Sequence, residues 1–132
     1  MSHPTDPTEL APVAPEIFVP DVRAAVAFYT DVFGFQAHRV ESDFAIVGIG
    51  PAIIMFADQR MYGAMGGAFA GADRGLFIDI RIMVPDVDTY NQRCLDAGLD
   101  IVHSLADRPY GLRDFIVRDL NGFRLRFASP LR

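Results

Sequence analysis

The chain has 132 residues, enough for one domain or two small halves, and 51% of them are hydrophobic, ample for a core. A net charge of −5 argues against nucleic acid, whose binding needs a concentrated basic surface. The single cysteine, Cys94, excludes an intramolecular disulfide and a cysteine-based zinc cluster, and no apolar run reaches the roughly 18 residues of a membrane span.

The opening stretch, MSHPTDPTELAPVAP, is polar and proline-rich. It lacks the basic start and apolar run of a secretory signal, so residues 1–13 are expected to be a flexible tail and the protein cytoplasmic. All the basic residues are arginine. The absence of lysine excludes Schiff-base chemistry and a phosphate-binding P-loop.

Along the chain, Glu16–Val19 alternates as a strand does, and Val22–Phe33 follows as a helix with Asp21 at its N-cap and Gly34 at its end. Gln36–Glu41, Phe44–Ile49 and Ala52–Ala57 are strand-like, broken by Ser42-Asp43 and Gly50-Pro51. Residues 58–75 are rich in glycine, alanine and methionine and join the two halves, as a lid or as a tether. The pattern then starts again. Asp79–Val84 reads as a strand, and Val87–Ala97 as a helix between Asp86 and Gly98. Asp100–Ser104, Arg113–Arg118 and Phe123–Ser129 are strands, the last two joined through Asp119-Leu120-Asn121-Gly122, where Asn-Gly signals a hairpin.

The tetrapeptide VPDV stands at Val19–Val22 and again at Val84–Val87. Its context repeats too: strand before, capping aspartate within, helix and glycine after. Each half is therefore βαβββ, 14–57 and 76–132, and an internal duplication is the reading. VPDVRAAVAFYTDVFGF at 19–35, VPDVDTYNQRCLDAGLDIV at 84–102 and RPYGLRDFIVRDLNGFRLRF at 108–127 resemble the vicinal oxygen chelate superfamily, which includes glyoxalases, extradiol dioxygenases and bleomycin-resistance proteins. The resemblance implies an α+β fold: tandem βαβββ modules forming a cupped eight-stranded mixed sheet with helices outside and the site within the cup. It also implies a homodimer.

Metal-binding members of that superfamily place His, Gln or Glu ligands on the first and last strands of each module. The matching positions here are Ala14, about Met55, Asp79 and about Arg126. Of these only Asp79 suits a hard divalent ion; alanine offers no donor, methionine prefers soft metals, and arginine has no lone pair to give. The expectation is therefore no metal and no cofactor. An alternative set of Glu16, Asp79 and His38 or His103 stays open.

Strand alternation assigns Ile17, Val19, Ile54, Phe56, Ile80, Ile82, Val84, Leu125 and Phe127 to the face under the helices. The other face carries Glu16, Phe18, Met55, Asp79, Arg81, Met83, Arg124 and Arg126, which the resemblance turns toward the cup. An arginine–carboxylate network is expected there. Arg81 and Arg126 would present guanidiniums to a small, flat, partly anionic ligand, and Phe18, Met55, Met83 and Phe115 would form its apolar wall. Tyr110, on the loop Arg108–Gly111, could stack on such a ligand. No nucleophile–base–acid constellation stands out, so catalytic residues are not assigned. The favoured reading is a metal-free binding protein resembling the bleomycin-resistance group, with a role in sequestration or transport. Two alternatives remain: a metal-dependent enzyme of glyoxalase or dioxygenase type with unusual ligands, and a dimeric interaction module with a closed cup. No nucleic acid and no membrane are expected as partners.

Overall fold

A computed structural model describes residues 11–61, 73–75 and 77–131. Most of the expected N-terminal tail and the central part of the 58–75 segment lie outside these residues. The chain separates into two compact units, residues up to 71 and residues from 72 onward.

The first unit runs β1 (Glu16–Val19), α1 (Val22–Asp31), β2 (Gln36–Val40), β3 (Phe44–Ile49) and β4 (Ala52–Asp58). The second runs β5 (Ile80–Met83), α2 (Val87–Asp96), β6 (Ile101–Asp107), β7 (Leu112–Arg118) and β8 (Arg124–Pro130). The eight strands fall into two mixed four-stranded sheets of order β1-β4-β3-β2 and β5-β8-β7-β6. In each, the first strand lies parallel to the last and the remaining pairings are antiparallel. Both units thus have one topology, as the sequence repeat requires.

The repeated aspartates are the reason that both helices begin where they do. Asp21 accepts a hydrogen bond from the amide of Ala24 at 3.1 Å, and Asp86 from that of Thr89 at 3.4 Å. Gly34 and Gly98 follow the helices with φ of 73° and 70°, a region that L side chains avoid. Helix α1 buries Val22, Ala25, Val26 and Tyr29, one stripe at helical spacing. Tyr29 packs edge-on against Phe33, Phe35 and Phe56. In the second unit Tyr90 of α2 stacks on Phe127, which stacks in turn on Phe115. Ser129 ties the end of β8 to the start of α2: its buried hydroxyl donates to the Val84 carbonyl at 2.7 Å and accepts from the Val87 amide at 2.9 Å.

The last hairpin is set by Asp119, whose carboxylate accepts from the amides of Asn121 at 2.8 Å and Phe123 at 3.0 Å. The helices end two and one residues earlier than the sequence suggests, and β6 runs three residues longer, to Asp107. That extension brings it opposite Arg113 on β7.

Candidate functional site

Strands β5, β8 and β7 lie side by side in the second sheet. Arg81 is the register partner of Arg126, Arg126 of Ile116, and Ala128 of both Met83 and Asp114. Partners across a ladder share a face, so Arg81, Met83, Asp114 and Arg126, with Arg124 two residues before Arg126, stand on the face opposite the helix-packed one. Asp79 precedes β5 directly.

These residues make a connected charge cluster. Asp79 Oδ1 lies 2.7 Å from Arg124 Nε, an ion pair without an aligned hydrogen bond. Asp79 Oδ2 accepts from Arg126 Nη2 at 3.1 Å. The other terminal nitrogen of Arg126 donates to Asp114 Oδ2 at 3.2 Å and to the Tyr110 hydroxyl at 3.0 Å. Arg108 Nε donates to Asp114 Oδ1 at 2.8 Å. The Tyr110 hydroxyl itself donates to Asp114, and Arg108 also reaches the carbonyl of Ser104. Asp114 has no solvent exposure. A carboxylate buried so deeply needs such partners, because desolvation would otherwise neutralise it.

The electrostatics follow from this arrangement. Burial pushes the Asp114 carboxyl upward, but the hydrogen bonds from Tyr110, Arg108 and Arg126 outweigh it and hold the group below the ordinary carboxylate range. The same contact with Asp114 raises the Tyr110 phenol, which therefore stays protonated. For Arg126, burial disfavours the cation, and Asp79 and Asp114 more than restore it.

Beside the cluster opens a cleft of about 520 Å³ lined by Asp79, Arg81, Tyr110, Leu112 and Arg126. Arg81 is exposed and has no ion-pair partner among the described residues. Tyr110 is fixed at its hydroxyl while the residue stays 57% exposed, so its ring offers a flat surface to the cleft mouth.

The structure sorts the residues singled out from the sequence. Asp79, Arg81, Tyr110 and Arg126 come together at the cleft, with Arg124 behind Asp79. Met83 shares their face and is exposed, but does not line the cleft. Arg81 stands outside the ion-pair network it was expected to join. Phe115 is a correction. It pairs in register with Phe127, is fully buried, and stacks under α2 rather than beside the arginines. Strand alternation forces this, since Asp114 and Ile116 occupy the other face. Glu16, Phe18 and Met55 belong to the first unit, where Glu16 and Met55 are register partners and all three are half-buried. Sequence reasoning missed Asp114 and Arg108. The available signal was the one carboxylate of β7, directly before the apolar run Phe115-Ile116-Val117, with an arginine six residues before it.

The family model described as Glyoxalase/Bleomycin resistance protein/Dioxygenase superfamily matches residues 9–127. The chain belongs to this superfamily. Among curated proteins, the uncharacterized proteins Mb0911c of Mycobacterium bovis and Rv0887c of Mycobacterium tuberculosis are each 28% identical over 127 residues, which cover 91% of this chain and 84% and 75% of theirs. Among solved structures, TioX from Micromonospora sp. ML1 superposes with a TM-score of 0.70 at 28% identity, covering 91% of this chain and 96% of that one. A glyoxalase/bleomycin resistance protein/dioxygenase family enzyme from Burkholderia phytofirmans PsJN gives 0.74 at 24% identity, covering 89% and 97%; at that identity the likeness speaks for the fold.

Superfamily members that use a metal need three or four donors, and the residues here do not fit one. Both oxygens of Asp79 face guanidiniums, and Arg126 stands at another ligand-equivalent place as a cation itself. Among the described residues no three His, Cys, Asp or Glu side chains gather into a potential metal set.

Proposed function

We propose that this superfamily member binds a small, flat, partly anionic organic molecule in the cleft of its second unit, in a sequestering or carrier role. One observation carries the reading: the Arg81 guanidinium borders the cleft with no counter-ion among the described residues, while the neighbouring Arg126 is already held by two carboxylates. A ligand carboxylate or other oxyanion would supply the missing charge, and guanidinium matches such groups in a planar, bidentate way. The exposed ring of Tyr110 supports the flat part of the ligand, and Leu112 adds an apolar contact.

Titration calorimetry with 2-naphthoate tests this reading. Binding is expected, and Arg81→Gln is expected to weaken it about tenfold, the usual worth of a charge-assisted contact. No heat with 2-naphthoate, together with a melting temperature that depends on dilution, would favour the interaction-module alternative.

The reading also includes a homodimer in the cytoplasm. The terminal strands β2 and β6 support the first part, because each leaves a backbone edge to cover and carries an exposed apolar residue, Val40 or Val102. The buried thiol of Cys94 suits the second, and none of the helices is long and apolar enough to cross a membrane among the described residues. Sedimentation at micromolar concentration decides the dimer; a single species of 14.6 kDa would refute it.

A further inference from the structure

Four guanidiniums stand in the second unit's cluster, those of Arg81, Arg108, Arg124 and Arg126, against the two carboxylates of Asp79 and Asp114. Asp79 is shared between Arg124 and Arg126, and the buried Asp114 between Arg108 and Arg126. Two positive charges are left over, on a protein whose net charge is −5. The nearby Arg118 does not change this count, because it pairs with Asp73 and Asp100.

The surplus of the cluster borders the cleft. Arg81 and Arg126 are register partners on adjacent parallel strands and both line the cleft. Neighbouring strands are about 4.8 Å apart, and like charges directly opposite each other on a sheet repel. A fold that keeps two arginines abreast, one of them with no ion pair among the described residues, carries a repulsion that an anion between them would relieve. A monocarboxylate cancels half of the excess, and a doubly charged group cancels all of it.

Resting on the ligand-binding reading above, we infer that Arg81 and Arg126 form a clamp for a dianionic oxyanion, the phosphate monoester or phosphonate group of an aromatic ligand whose ring lies on Tyr110. Such a group offers three acceptor oxygens to two planar donors, so each guanidinium engages it without displacing the other.

Three probes of one shape separate this inference from the general one: 2-naphthyl phosphate, 2-naphthyl sulfate and 2-naphthoate. The phosphate monoester takes its second charge near pH 6, whereas the sulfate and carboxylate remain monoanions. The sulfate also controls for titration of the protein groups facing the clamp, namely Asp79, Asp114 and Tyr110, flanked by Arg108 and Arg124, and for His103, which lies two strands from Arg126 beyond Ile116. At pH 8 the phosphate is expected to bind about tenfold tighter than the sulfate, and at pH 5 the two should converge. Arg81→Gln, at an exposed side chain with no ion pair among the described residues, should abolish the preference without unfolding the protein. Arg126→Lys, which keeps a cation beside Asp114, should reduce it. Equal affinity of all three probes at pH 8, still lost in Arg81→Gln, overturns the dianion clamp and leaves the ligand-binding reading intact. A phosphate preference unchanged in Arg81→Gln overturns the clamp as well. Failure of all three to bind at millimolar concentration overturns both.

Discussion

Arg126 holds the fully buried carboxylate of Asp114 at 3.2 Å, and that contact ties the cleft wall to the core of the second sheet. Asp114 accepts from Arg126, Arg108 and Tyr110 at once, so it fastens strand β8 and the loop before β7 to a single point. Asp114→Ala would leave two guanidiniums facing each other across an empty site. Breaking a buried pair on one side costs about 3–5 kcal/mol, and the partial exposure of both arginines reduces the expected loss here to about 2–3 kcal/mol. Urea unfolding of the variant measures it; a change below the error of the extrapolation would mean that water replaces the carboxylate freely.

The same group predicts the behaviour in acid. Its pKa in the folded protein lies below the ordinary value of 3.8, because the three hydrogen bonds outweigh burial. A depressed carboxylate stabilises the fold in full above its unfolded pKa, and that contribution is lost as the pH falls through the folded one. Asp58 acts in the same direction in the first unit, where its hydrogen bond with Arg60 lowers it to about 2. Melting temperature should therefore hold from pH 7 to about pH 5 and drop steeply below pH 4. In Asp114→Asn that acid slope should be shallower, which circular dichroism at a series of pH values would show.

The fold could be read from the sequence because its signals are local and occur twice. Asp21 and Asp86, Gly34 and Gly98, and the alternation around Ile17 and Ile82 each specify one step of the chain, and the repeat checks one half against the other. The cluster at the cleft was legible only in part. Asp79, Arg81 and Arg126 follow from strand alternation. Asp114 does not, because its charge is tolerated only through Arg108, Arg126 and Tyr110, and those contacts depend on a loop conformation that no periodicity encodes. Phe115 was misplaced for a related reason. An aromatic residue next to a predicted site looks like a wall, and only the β7–β8 register shows which side it faces.

That register makes Phe115 a test. Sandwiched in the core with Phe127 stacked on it, Phe115 should cost about 3–5 kcal/mol when truncated to alanine, through lost burial and the cavity left behind. The affinity of the folded fraction for 2-naphthoate should stay unchanged, since the ring is on the opposite face from Arg81 and Arg126. A variant that melts normally but loses the ligand would put Phe115 back in the cleft.

In the first unit Gly48 on β3 is closely packed, which argues for a strong effect from a single methyl group. A Cβ added there would stand 2.7 Å from the imidazole Nε2 of His38, 2.8 Å from the carbonyl oxygen of Ala52 and 2.8 Å from Ile53 Cδ1. The imidazole sits at a bulge of the edge strand β2, where Ala37 pairs with Val47 and Arg39 with Ile46, and its Nε2 is buried without a hydrogen-bond partner among the described residues. It has some freedom to move; the Ala52 carbonyl, fixed in the ladder between β3 and β4, has little. Gly48→Ala should therefore destabilise the protein by about 1–3 kcal/mol, the usual range for overpacking. Adding His38→Ala should recover only part of that loss, because the clash with the backbone remains. Full recovery in the double variant, measured by thermal melting against both single variants, would assign the whole strain to the histidine and none to the carbonyl.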